Sequence, residues 1–266
     1  MKRSRFSRLF SSAYLIVILL FIYLPIGYLV LFSFNEGKSM TSFTGFSLKW
    51  YESMFTNRTM IESISTTLIV AVTATVISTV VGTIAAIGLS KAKRVVRSIV
   101  LEINNLPVMN PDIVTAIGLM LLFISVKFQL GMVTLILSHI SFCIPYVILT
   151  VMPKIRQLDD NVAEAALDLG ATPFKALTKV ILPQIYPAIL SGALIAFSMS
   201  LDDFVVSYFN TGAGINTISM YVYSMKRYNL SVNAMSTLIV AVVTVVLVLV
   251  NVIPWIKDKK TKKEEP

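Results

Sequence analysis

The apolar residues of this chain do not alternate with polar ones in short runs; they form long blocks. Four blocks carry no charged residue: 9–35, 63–90, 128–153 and 228–256. Each exceeds the ~20 apolar residues that a helix needs to cross a bilayer. Two further blocks are as long but are interrupted by acids. The block 98–126 contains Glu102 and Asp112, and the block at about 186–209 contains Asp202 and Asp203. The pattern predicts an all-α membrane protein with six transmembrane helices, at 12–34, 63–90, 99–126, 130–153, 186–209 and 233–256. Residues 1–266 are expected to form one membrane domain. Pro25 is expected to kink the first helix.

Charge adds an orientation. Seventeen of the 23 Lys and Arg residues lie in four segments: 1–11, 91–98, 154–185 and the tail from 257 onward. The alternate segments hold Lys38, Lys49, Arg58, Lys127, Lys226 and Arg227. Basic residues favour the cytoplasmic side, so both termini and segment 154–185 are expected inside. The net charge of +9 is therefore a topology signal rather than a nucleic-acid signal. With 56% hydrophobic and only 14% charged residues, the chain is no soluble globular enzyme, disordered tail or disulfide scaffold. One cysteine, Cys143, and one histidine, His139, exclude an intrachain disulfide and a multi-histidine metal site. The first apolar run is longer than a signal-peptide core and no A-x-A site follows it, so an uncleaved first helix is expected.

The loops are unequal. Segment 35–61 carries Trp50, Tyr51 and Phe55 and reads as an outer, interfacial or partner-facing hairpin. The turn at 127–131 is short, which makes the third and fourth spans antiparallel neighbours. Segment 154–185 is the one large inner loop and reads as two short helices. Asn161 is placed to cap the first, with Glu164 three residues later completing a capping box. Gly170 stops it in the left-handed region that glycine accepts. Thr172 caps the second helix, with Pro173 at its first position, and Leu182-Pro183 is expected to end it near the membrane. Ala165 and Ala166 leave a face with little bulk, open to close approach by another protein.

The spacing within this loop carries more than capping. Glu164-Ala165-Ala166, then three residues, Gly170, nine residues and Val180-Ile181-Leu182-Pro183 resembles the EAA loop of ABC-importer permeases, E-A-A-x3-G-x9-I-x-L-P, with Val180 at the isoleucine position. The resemblance implies the MetI-like permease fold, an N-in/C-in chain and a multi-pass protein of the bacterial inner (cytoplasmic) membrane. It also implies that the loop docks on a separate ATPase subunit, whose ATP-driven closure moves the membrane helices between inward-open and outward-open. Glu164, Ala165, Ala166 and Gly170 are then coupling residues, not catalytic ones. ATP and Mg would be bound by that partner, with no cofactor or metal in this chain. Gly37-Lys38-Ser39 looks like the end of a P-loop, but Phe32 stands where the first glycine is required.

Acids inside a membrane are costly, and their presence points to function. Pro107 and Pro111 weaken the third span just before Asp112, and Ser198 and Ser200 precede Asp202 and Asp203 in the fifth. On straight helices, Asp112 and Asp202 would stand roughly 20 and 24 Å from the inner ends. Carboxylates at one level suit a polycationic solute, and Tyr23, Tyr208 and Phe209 are candidate contacts for its methylenes and ammonium groups. Adjacent Asp202 and Asp203 point ~100° apart, so both need not face one path; pairing of these acids with a partner subunit remains the alternative role. Glu102 reads as interfacial and His139 as a packing or interhelical hydrogen-bonding residue.

Together, Pro111-Asp112-Ile113-Val114, Ser138-His139, the EAA loop and Leu201-Asp202-Asp203-Phe204-Val205-Val206-Ser207 are similar to the PotC-type permeases of spermidine/putrescine importers. That resemblance implies a polyamine cargo. It implies three kinds of partner: a second, PotB-like permease, two copies of a PotA-like ATPase, and an external PotD-like binding protein. It also implies that Asp112, Asp202 and Tyr23 line the path, with Asp203 kept as a fourth candidate. A permease for another cation, an amino acid or an oligosaccharide is the nearest rival, because the EAA loop speaks of the ATPase and not of the cargo. An intramembrane aspartyl protease would need G-x-G-D, where this chain has Met199-Ser200-Leu201-Asp202.

Overall fold

A computed structural model describes the backbone of residues 5–226 and 228–264, and the side chains of 14–159, 161, 162, 164–226, 228–246 and 248. The basic side chains of both tails, and Arg227, on which much of the orientation argument rests, lie outside the described residues. Among the described residues the chain is helical except for one antiparallel bridge, Asn35 to Phe46. The helices are α1 (Arg5–Ser33), α2 (Lys49–Thr56), α3 (Arg58–Lys91), α4 (Arg94–Met109), α5 (Asp112–Ser125), α6 (Met132–Arg156), α7 (Asp160–Asp168), α8 (Pro173–Ala176), α9 (Leu182–Asp202), α10 (Val205–Asn210), α11 (Ile218–Ser224) and α12 (Ser231–Glu264).

Four helical stretches are long and apolar enough to cross a membrane: Tyr14–Ser33, Arg58–Lys91, Met132–Arg156 and Pro173–Asp202. A fifth candidate is the pair α4 and α5, which is bent by 107° at its break. The apolar start of α12, Ser231–Val246, is shorter. Three expectations change. The third span is not one helix over 99–126, because the chain is extended at Asn110 and Pro111. Pro111 lacks an N–H and forces the residue before it out of the helical region. The fifth span is not one helix over 186–209 either, since α9 stops at Asp202 and α10 restarts at Val205. At the inner end Leu182-Pro183 does not terminate anything: a π-helical turn, Leu177–Ile181, joins α8 directly to α9. Proline is tolerated there because it occupies the first turn of the new segment. Pro25 lies within α1, which runs on through it to Ser33.

The chain divides into two compact units, Met1–Ile61 with Met225–Pro266, and Glu62–Ser224. In the first, α1 and α12 pack together around α2. Trp50 is buried with Phe32, Leu230 and Ala234, and its indole N–H donates to the Asn35 carbonyl at 2.6 Å. Trp50 is thus a core residue, where an interfacial one was expected; a buried indole needs one acceptor and the Asn35 turn supplies it. Phe55 does remain exposed.

The second unit is built on α6, of which half the most apolar window is buried inside the protein. Ala86, Ala116, Phe142, Cys143, Val147, Val151, Ile185, Ala196 and Val206 form its core. Small residues let the helices approach: a Cβ on Gly82 would stand 2.8 Å from the Val147 side chain, and one on Gly192 would touch Val147 and Thr150. Helix association in a bilayer depends on such close packing, since lipid is as apolar as the side chains it replaces.

Candidate functional site

The two breaks in the second unit meet at one place. Asp112 begins α5 after the first break, and Asp202 ends α9 before the second. Asn210, at the end of α10, donates to the Ala116 carbonyl on α5 at 3.0 Å. Its own carbonyl accepts from the Thr134 hydroxyl at the start of α6 at 2.8 Å. α10 is thereby tied to both neighbours, as the burial of polar groups in an apolar setting requires.

Between these elements lies a cavity of about 320 Å³ lined by Asp112, Asp202 and Asp203. Phe142, Tyr146 and Phe204 contribute aromatic walls, and Thr115 another polar group. The three acids are unequal. Asp203 accepts the Val206 N–H at 3.2 Å and the Ser207 N–H at 2.7 Å, so it caps α10. It also stands 3.5 Å from His139 Nε2. The carboxylates of Asp112 and Asp202 accept no hydrogen bond from another described residue, and both residues are exposed to the cavity mouth. They are the acids free to meet a cationic group. The depth estimate from straight helices does not apply, because both spans are broken at the acids.

Tyr23 belongs to the other unit. It lies on α1 in the first unit and is 61% exposed, and the cavity is lined by residues of the second unit alone. Tyr208 does not line the cavity; its ring packs on Phe204, which does, and on Tyr223. Tyr146, Phe142 and Thr115 went unnoticed in the sequence. The available signal was helical spacing, since Phe142 and Tyr146 sit four residues apart on α6, one turn along the face that carries His139. His139 itself makes the interhelical hydrogen bonds expected of it, to Ser200 and Ser207.

The loop between α6 and α9 is exposed. α7 carries Glu164, Ala165 and Ala166, and Gly170 follows its end at φ +82°, the left-handed value expected of it. Thr172 accepts the Lys175 N–H at 3.3 Å, as expected for the cap of α8. The cap of α7 is different: Asp159, not Asn161, accepts the Asn161 N–H at 3.0 Å. The helix begins two residues earlier than expected, so Glu164 sits past the capping box and its carboxylate is free at the surface. Leu167, Leu169 and Phe174 are exposed beside it, Leu169 to 89%.

Residues 78–262 match the family described as binding-protein-dependent transport system inner membrane component. The chain belongs to this family. It is therefore a multi-pass membrane permease, a transport subunit rather than an enzyme. The chain is 36% identical over 266 residues to the putrescine transport system permease protein PotI of Escherichia coli K12, covering 95% of this chain and 93% of that protein. It is 36% identical over 250 residues to the spermidine/putrescine permease protein PotC of Haemophilus influenzae, covering 93% and 97%. PotC of E. coli K12 is 34% identical over 95% of this chain and 96% of its own. The permease fold is shared with a bacterial ABC transporter that imports the acidic polysaccharide alginate, at a TM-score of 0.72 and 17% identity, over 96% of this chain and 98% of that one. A second alginate transporter structure, in complex with an alginate pentasaccharide-bound periplasmic protein, aligns at a TM-score of 0.69 and 18% identity.

Proposed function

We propose that this permease forms half of the translocation path of an ATP-driven polyamine importer of the bacterial inner membrane. The observation that carries the proposal is the one cavity lined by Asp112, Asp202 and Asp203 together with Phe142, Tyr146 and Phe204. Ammonium groups joined by methylenes suit a cavity that offers both carboxylates and aromatic faces: the charges pair with the acids and the methylenes lie on the rings. PotI and PotC, whose names speak of putrescine and spermidine, support that choice of cargo. The alginate importer shares the fold at 17% identity, so the fold alone selects no cargo. The rival reading is a permease for another solute, and an oligosaccharide or a plain amino acid gives the paired free acids less to do.

The exposed α7–α8 loop supports the partner assignment. A separate ATPase dimer would dock on Glu164, Ala165, Ala166 and Gly170, with Leu167, Leu169 and Phe174 buried in that contact, and would hold the ATP and Mg. A second, related permease would complete the path and an external binding protein would deliver the solute. Tyr23 remains a candidate contact for the solute from the first unit.

The test is ATP-dependent uptake of radiolabelled putrescine and spermidine into vesicles holding the whole complex, comparing wild type with Asp202→Asn. Saturable uptake that falls in the variant, with the ATPase still associated, supports the proposal. An intact, ATP-hydrolysing complex that moves neither solute removes the cargo and leaves the permease.

A further inference from the structure

His139 lies inside α6 and is 1% exposed. Its Nδ1 is 2.6 Å from the Ser200 hydroxyl on α9, and its Nε2 is 3.1 Å from the Ser207 hydroxyl on α10. The two serines flank the break, one on each side. A hydroxyl both donates and accepts, so a neutral imidazole has a partner for each ring nitrogen here, one donating and one accepting. On an unbroken helix Ser200 and Ser207 would be separated by about 10.5 Å along the axis. One ring with bonds of 2.6 and 3.1 Å does not span that distance, so the pairing exists only while the helix is broken.

We propose that His139 is a positioning residue for the solute. It staples the two sides of the break and so fixes the direction of the Asp202 carboxylate, the last helical residue before the break. Asp203, 3.5 Å from His139 Nε2, completes the staple by capping α10. The solute in this proposal is the polyamine of the reading above, while the geometry stands without it. Loss of the staple lets the end of α9 lengthen or swing, and the Asp202 carboxylate leaves the cavity wall. The cost falls on solute recognition, because misplacing a binding group by about 1 Å is enough to weaken it severalfold or more.

The experiment uses the whole complex in lipid vesicles with His139→Ala, His139→Gln and Ser200→Ala. Two readouts are taken: KM and maximal rate of putrescine uptake, and the rate at which a cationic thiol reagent modifies a cysteine placed by Asp202→Cys, with Cys143→Ser removing the native thiol. His139→Ala should raise KM about tenfold while the maximal rate and basal ATP hydrolysis stay within about twofold. His139→Gln, whose amide both donates and accepts, should recover most of the KM. Modification at position 202 should change at least about threefold when His139 is removed. An unchanged KM overturns the proposal, as does a fall confined to maximal rate and complex yield, which marks a structural role. If the wild-type complex moves no polyamine, the modification rate decides alone. A changed rate then keeps the staple and discards only the solute, and an unchanged rate discards the staple.

Discussion

The second unit contains two broken helices that bring acids to one cavity, and they break for different reasons. α4 and α5 part at Asn110-Pro111, where the chain lacks an N–H and the preceding residue is driven extended. α9 and α10 part at Asp203-Phe204, where no proline or glycine stands. There the break is held from outside by His139 on another helix, and locally by the Asp203 carboxylate turned onto the N–H groups of Val206 and Ser207. The first break is written in the backbone of its own segment. The second joins a local cap to a tertiary contact. One leaves the carboxylate of its acid, Asp112, without a hydrogen bond among the described residues; the other uses one acid, Asp203, as a cap and leaves the side chain of its neighbour Asp202 unbonded to any other described residue.

Substitutions at both breaks sharpen this contrast. The largest effect belongs to Asp112→Asn combined with Asp202→Asn, which removes the free acids of both breaks. Polyamine uptake should fall at least about 100-fold with the complex still assembled, because each lost charge pair costs more than a factor of ten away from water. Uptake that survives the pair would falsify the path assignment. Next comes Asp203→Ala, which loses two N–H bonds and a neighbour of His139. It should lower the complex's resistance to thermal unfolding by about 2 kcal/mol. Asp112→Ala, read in the same melting experiment, should change it by no more than about 0.5 kcal/mol. Equal losses would mean that both acids are structural.

Smaller effects separate the causes of the breaks. Pro111→Ala restores an N–H and a helical choice, so spin labels on α4 and α5 should report a straighter pair and uptake should drop severalfold. Phe204→Ala, an equally helix-favouring change, should leave the second break in place, as labels on α9 and α10 would show. If Phe204→Ala straightens that helix, the break is local after all. The mildest change is Gly170→Ala in the loop proposed to couple to the ATPase, at φ +82°. It should cost roughly 1 kcal/mol of local stability and reduce the stimulation of ATP hydrolysis by solute only modestly.

Much of this arrangement was legible along the chain. The apolar blocks located the helices, and the acids inside two of those blocks marked Asp112, Asp202 and Asp203, all of which line the cavity. Gly170 and Thr172 performed the local roles that their residue types favour. Asp159 displaced Asn161 as the cap of α7 because two acceptors competed within one turn, and nothing local ranks them. Trp50 gave no warning of burial, since its partners Phe32 and Leu230 are distant in sequence. Tyr146 and Phe142 looked like any apolar face of α6 until the cavity gave that face something to line.

Composition and periodicity determined by themselves that this is a helical membrane protein and where its acids fall; the spacing of Glu164, Gly170 and Pro183 added the resemblance to permeases. Those properties follow from local rules: the length of an apolar run, the missing N–H of proline, the left-handed freedom of glycine. The tertiary structure decided which acid is free and which is a cap, that α9 ends at Asp202, and that His139 bridges that end. Hydrogen-bonding groups withdrawn from water must find partners wherever the fold brings them, and those partners are 61 and 68 residues away in the chain.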